Sequence, residues 1–302
     1  MDHTGKVVSH KDGHDIIACE KCGFYHVYPF PSQEQTENLY SEEYYQKNRK
    51  DYIKNLEEDK EWWQNLYSER IQQISTYLNN DEDINVLDIG TGAGYFLTAA
   101  KEAGWEELGI EPSTMASYYG KENGLNIIPN FFDENISNKI GKFDVIHMNH
   151  VLEHMLNPTK ILRMIHNNLE NEGVFCLAVP NDFNELQQIA CTLNENKEWW
   201  ITPFEHINYF SFDSLKKLLE SNGFKVLEET TSFPMELFVL MGENYIKEST
   251  LGRQCHKKRK KLEKNLFTNN PNLKQKLYKS LAKEGLGRDV ILIARKRGSL
   301  DD

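Results

Sequence analysis

The spacing of apolar and polar positions along the chain changes near residue 84. Before it, residues 41–78 ("SEEYYQKNRKDYIKNLEEDKEWWQNLYSERIQQISTYL") are charged and aromatic, with apolar positions recurring at helical spacing toward the end; one or two helices are predicted. Beyond it, short apolar runs predict strands at 85–89 (NVLDI), 107–111 (ELGIE), 126–130 (NIIPN), 143–148 (FDVIHM), 174–180 (VFCLAVP) and 224–229 (FKVLEE). Between several of these lie "FLTAAKEAG", "TMASYYGKENG", "PTKILRMIHNNLENEG" and "SFDSLKKLLESNG". Each is apolar along one stripe and closed by glycine or Asn-Gly. Strands that alternate with helices imply an α/β fold with a doubly wound, mostly parallel sheet. "DVILIARK" (289–296) is a seventh strand, reached after a helical, basic insertion. The resulting division is 1–35 as a small Cys/His module, 36–80 as a helical cap, 81–234 with 287–297 as the sheet domain, and 235–286 as the insertion.

Glycines recur on alternate positions where the first strand turns into its helix: "NVLDIGTGAGYF" places them at Gly90, Gly92 and Gly94. Such a turn exposes backbone amides and a helix N-terminus to a ligand without side chains in the way. The dinucleotide spacing G-x-G-x-x-G would need glycine at 95, where the chain has Tyr95. Asp88 precedes the loop, and Glu111 closes the second strand, where a carboxylate can accept both hydroxyls of a ribose.

These stretches, with "LGIEPS", "FDVIHMNHVLEHMLNP" and "EHINYFSFDSLKKLLESNGF", resemble class I S-adenosylmethionine-dependent methyltransferases of the bacterial small-molecule and glycan branch. The likeness covers residues 81–230 and the final strand. It implies a Rossmann-like fold and S-adenosylmethionine as cofactor. Gly90, Gly92 and Gly94 would wrap the methionine part, Asp88 would sit near its ammonium group, and Glu111 would hold the ribose. Phe131 or Phe132 would flank the adenine, while Asn149 and His150 would face the bound cofactor. Thr91, Phe96 and Pro112, inside the same motifs, complete the candidate cofactor set. "NFFDENISNKIGK" departs from the pattern by lacking the usual acidic residue beside the adenine.

Methyl transfer from a sulfonium is an in-line displacement, so alignment supplies much of its acceleration. A hydroxyl acceptor gains from a base, and histidine suits neutral pH. His150 and His206 follow predicted strands at their carboxyl ends and are the catalytic candidates; the competing readings are a helix-start residue lining the cofactor and a loop-fixing hydrogen bond. Glu153 and His154 read as stabilising a helix start, and His147 as a packed core residue. Trp199, Trp200 and Tyr209 offer faces to a sugar or planar acceptor, or cover the site as a lid.

Composition narrows the partners. The 302 residues carry a formal net charge of -11, which repels phosphate backbones and anionic membranes. No run of 18 apolar residues and no leader-like N-terminus occur, so a cytoplasmic protein is expected. A small-molecule acceptor is the expected partner and nucleic acid is not. Lys257 to Lys261 form a basic run that reads as a solvated helix face or a phosphate contact. Of five cysteines, Cys19 and Cys22 form one C-x-x-C, followed by His26, with His3, His10 and His14 upstream. Tetrahedral zinc needs four ligands; Cys19, Cys22, His26 and His14 are the candidate set, against an unmetallated hairpin whose cysteines pack as small apolar residues. The stretch also resembles the N-terminal metal-binding module preceding some of these methyltransferases, without its first C-x-x-C. An RNA-modifying enzyme and a non-catalytic cofactor-binding regulator are the alternative functions.

Overall fold

The computed structural model describes residues 3–32, 57–79 and 82–298, so residues 36–56 and 80 of the expected helical cap lie outside the described residues. The chain divides into two compact units. One comprises Met1–Phe30, Ala178–Lys217 and Glu228–Leu292; the other comprises Pro31–Leu177, Leu218–Leu227 and Ile293–Asp302.

The sheet of the α/β fold has seven strands, in the order β10-β11-β8-β7-β4-β5-β6. Its strands are β4 (Asn85–Ile89), β5 (Glu106–Ile110), β6 (Ile127–Ile128), β7 (Phe143–Asn149), β8 (Leu169–Pro180), β10 (Phe224–Thr230) and β11 (Asp289–Lys296). β4 pairs in parallel with both β5 and β7, and β5 with β6. Chain direction through the sheet therefore reverses beside β4, and ligands of open α/β sheets bind at the carboxyl ends of strands at such a point. Strand β4 is buried over its last four residues, as expected of a strand covered on both faces. The helix α1 (Lys60–Ser75) contributes Tyr67, Ile71 and Ile74 to the core, and α2 (Tyr95–Glu102) contributes Phe96, Leu97, Ala99 and Ala100. Helix α3 (Thr114–Glu122) is capped by Ser113, whose hydroxyl accepts from the Ala116 amide at 3.3 Å.

Two elements depart from the sequence pattern. The 126–130 strand shrinks to two residues. The helix expected to run through "NLENEG" stops as α5 (Pro158–Asn168), and β8 begins at Leu169 instead of 174. Asn168 ends the helix because its side-chain amide donates to the Ser137 and Gly141 carbonyls at 2.8 and 2.7 Å, and Leu169 then turns extended.

The other unit opens with β1 (Gly5–Lys11) and β2 (His14–Cys19), joined by a turn in which Asp12 and Gly13 both have positive φ. That is the two-residue hairpin geometry that Asp-Gly favours. β3 (Tyr25–Tyr28) adds antiparallel to β2, and β9 (Asn208–Tyr209) adds to β3, giving a four-stranded sheet. Ile16, Val27, Cys191, Trp200, Ile201 and Tyr209 form its core. Trp200 and Tyr209 are buried there, and the Tyr209 hydroxyl accepts from the Thr202 amide at 3.2 Å. These rings are packing residues and not the open sugar platform or lid considered from sequence. The segment 235–286 is helical: α8 (Glu236–Leu240), α9 (Ser249–Asn269) and α10 (Pro271–Lys283). Its basic run is only partly a solvated face, because Arg259 turns inward to Glu263 at 3.2 Å and Lys258 pairs with Glu243.

Candidate active site

The glycine loop leaves β4 with Gly90, Gly92 and Gly94 all at positive φ. Two of the three answer to internal packing: a Cβ at Gly90 would lie 2.3 Å from Val151 Cγ2, and one at Gly94 would lie 2.2 Å from Leu125 Cδ1. Gly92 is the one that addresses the site, since its amide donates to Glu111 Oε2 at 2.8 Å. The other carboxylate oxygen, Oε1, accepts from the Ser113 amide at 2.8 Å. Glu111 thereby sits at the end of β5, 3% exposed, held between the loop and the start of α3. Burial pushes its carboxyl up to about 7, with the two amides opposing and Asp88 adding to the rise. A carboxylate has about four acceptor positions, so two remain for other donors. The Thr91 hydroxyl, in the glycine loop, is buried with no hydrogen-bond partner among the described residues. The residues present thus fit a ligand that carries hydroxyls against Glu111 and a polar group against the loop.

Asp88 does not face open space. Its carboxylate accepts from His147 Nδ1 at 2.7 Å, across the β4–β7 pairing in which the two residues are direct partners. His147 is 1% exposed and stacks on Phe96 with ring centroids 3.7 Å apart and planes 11° apart. Burial lowers its pKa, with Asp88 opposing. His147 is a core residue, as its place inside a strand implies. Phe96, in the candidate cofactor set, is a core residue too: it is 2% exposed under the loop, and its ring meets His147 and Tyr67.

Asn149 ends β7 half-buried, and His150 follows it with φ 55 and an exposed side chain. Glu153, buried in the short 3-10 turn Leu152–His154, lies between two imidazoles: its Oε1 is 4.0 Å from His150 Nδ1 and 3.6 Å from His154 Nε2. Both separations are longer than a hydrogen bond. Pro112 is half-buried beside Glu111, and Phe131 is half-buried where Phe132 is buried. His206 belongs to the other unit; its amide donates to the Thr202 carbonyl at 2.8 Å and its ring lies edge-on to Tyr209.

At the N-terminal module the structure brings Cys19, Cys22 and His26 together with His3, their donor atoms all within 4.8 Å of one another. His14 is not part of this group. It pairs with Lys11 at the turn end of the hairpin, its ring against Phe204, while Cys19 lies at the opposite end of β2. Five residues of strand separate them by about 16 Å, beyond the reach of a shared ion.

The profile of a family described as methyltransferase domain matches residues 52–229. A ubiquinone biosynthesis O-methyltransferase of Rickettsia canadensis is 23% identical over 167 residues, which cover 52% of this chain and 70% of that protein. The C-methyltransferase NovU of Streptomyces niveus is 24% identical over 49% of this chain, and that match spans 34% of its length. Among solved structures, the plantazolicin methyltransferase BpumL, in complex with a monoazolic desmethylPZN analog and SAH, superposes with a TM-score of 0.52 at 17% identity. That superposition covers 88% of this chain and 96% of BpumL. A methyltransferase from a complex with the Haloferax volcanii Trm112 activator gives the same score at 15% identity over 83% of this chain and 96% of that chain. Among the described residues no helix is long and apolar enough to cross a membrane.

Proposed function

The chain belongs to the methyltransferase-domain family and is an S-adenosylmethionine-dependent methyltransferase, and we propose that its acceptor is an oxygen or nitrogen of a sugar, nucleotide-sugar or glycan intermediate. Bound S-adenosylmethionine supplies an electrophilic methyl on a sulfonium with a neutral thioether leaving group. The observation that carries the cofactor part of the reading is Glu111, whose buried carboxylate is fixed by two backbone amides at the end of β5 with acceptor positions to spare. Those positions suit ribose hydroxyls, and the amide-rich loop from Gly90 to Gly94 suits the methionine end. Asp88 acts indirectly in this reading: locked to His147, it sets the floor on which the loop rests.

At the acceptor the chain's part is to align and to take up a proton. His150 stands at the carboxyl end of β7 with its ring in solvent reach, and the buried Glu153 carboxyl lies 4.0 Å from its Nδ1. His206 is the second candidate base. A small-molecule acceptor fits the names of the relatives, which include ubiquinone-biosynthesis and plantazolicin enzymes.

The test is to incubate the protein with S-adenosylmethionine and separate panels of sugars, nucleotide-sugars, other hydroxylated or amino compounds, and RNA. S-adenosylhomocysteine and the mass of each acceptor are then followed. Methylation of a sugar-containing compound is expected. Methylation of RNA alone would favour a nucleic-acid enzyme, and cofactor binding with no turnover on any panel would favour a regulatory protein.

A further inference from the structure

We infer that His3, Cys19, Cys22 and His26 form a closed tetrahedral site for a structural zinc ion, with His3 as the fourth ligand. The methyl-transfer chemistry uses none of these residues, and the inference stands apart from the choice of acceptor.

The local chain is built as a metal knuckle. Cys19 ends β2, and the turn through Glu20, Lys21 and Cys22 brings the Cys22 amide to donate to Cys19 Sγ at 3.4 Å while the Gly23 amide donates to the Cys19 carbonyl at 2.9 Å. The β1–β2 register sets Gly5 opposite Cys19, and the Glu20 amide donates to the Thr4 carbonyl, so the two residues that precede β1 are carried onto the knuckle. The first of them is His3. His26 arrives from β3, opposite Ile17.

The donor separations are those that an ion would impose. His3 Nδ1 lies 3.1 Å from His26 Nε2, 3.5 Å from Cys19 Sγ and 3.3 Å from Cys22 Sγ. A tetrahedron with Zn–N of about 2.0–2.1 Å and Zn–S of about 2.3 Å has edges of roughly 3.3 Å between nitrogens and 3.5 Å between nitrogen and sulfur. One hydrogen bond between the two imidazoles would account for one of these distances, but it gives the two thiols no reason to converge on the same nitrogen.

The ring of His26 is also oriented as a ligand's is. Its Nδ1 is hydrogen-bonded to the Val27 carbonyl at 2.9 Å, which places the proton there and leaves Nε2 turned to the cluster; this is the outer-shell bond that fixes a metal-binding imidazole. Phe30 stacks on the same ring at 4.6 Å and meets His3 edge-on, walling one side of the site. Two sulfurs and two nitrogens select zinc over calcium or magnesium. Four protein ligands leave no open position, so the ion would hold structure and not activate water.

The test begins with protein prepared without chelator and analysed for metal, followed by removal of the metal and titration of the folded apoprotein with Co2+. About one zinc per chain is expected, together with the ligand-field spectrum of tetrahedral Co2+ and thiolate charge transfer. Cys22→Ser and His3→Ala should each weaken Co2+ binding at least tenfold, and His14→Ala should leave it unchanged. Wild-type protein without zinc that also fails to bind Co2+ would overturn the site. Unchanged binding in His3→Ala with loss in His14→Ala would overturn the ligand set. If Cys22→Ser does not fold, the wild-type titration and the histidine pair still decide.

Discussion

Glu111 answers two opposing demands, and its titration exposes them. In the free protein burial favours the protonated carboxyl, raising it from the ordinary 4.5 to about 7. Its contribution to folding stability is therefore present below pH 4.5 and fades as pH rises through about 7. Ribose hydroxyls need the opposite form, an acceptor carboxylate. Cofactor affinity should accordingly fall about tenfold from pH 8 to pH 6 by calorimetry, and Glu111→Gln should flatten that dependence; a flat wild-type profile would remove Glu111 from the ribose. Glu111→Ala should weaken S-adenosylmethionine binding by about 1.5–3 kcal/mol, whereas unchanged affinity with a lower melting temperature would make the residue structural. For His150 and His206 the expectation is that alanine at the true base lowers kcat by about 10² to 10⁴ on an identified hydroxyl acceptor and removes the acid limb of the pH profile. Full rate in the double mutant would leave catalysis to alignment. His147→Ala tests the buried pair: an unpartnered carboxylate and a ring-sized cavity beside Phe96 should cost about 3–5 kcal/mol in denaturant unfolding.

The loop between β4 and α2 shows which part of an element can be read from a string of residues. Alternate glycines announced a tight turn, and the acidic residue at the end of the next strand announced a ribose-type acceptor; both are local in sequence. What could not be read is that Gly90 and Gly94 are required by Val151 and Leu125, which lie far along the chain. Nor could the partnership of Asp88 and His147, which needs the β4–β7 register. The two kinds of glycine should respond differently. Gly94→Ala, at φ 83 and against Leu125, should destabilise the fold by about 1–3 kcal/mol. Gly92→Asp should remove cofactor binding from a protein that still folds, because it sets a side chain and a negative charge where the backbone addresses Glu111. If Gly92→Asp binds cofactor normally, the loop is not the site. Strand β8 began early for a comparable reason: "ENEG" reads as helix by composition, but Asn168 is claimed by carbonyls from a distant loop.

At the scale of the whole molecule, the alternation of strands and helices was legible because each element's buried face is written into its own residues. The Cys/His cluster was legible only in its short-range members, since Cys19, Cys22 and His26 lie close together in sequence across one turn whereas His3 arrives through hairpin register. The same N-terminal sheet has a consequence for the order of events in folding. β1 and β2 close through a two-residue turn, an event of about 1–10 μs, but Tyr25 and His26 must wait for Tyr209 and Asn208, some 180 residues further on. At about 5–20 residues per second of synthesis, that wait is on the order of 10–40 s. Until β9 exists, β3 presents "YHVY", an uncharged edge with open hydrogen-bonding groups, the kind of edge that recruits other chains. In pulse-labelling hydrogen exchange during refolding, amides paired within β1 and β2 should gain protection before that of Val27, which donates to the Ile207 carbonyl. Simultaneous protection would mean that the hairpin has no independent life, and its edge is never bare.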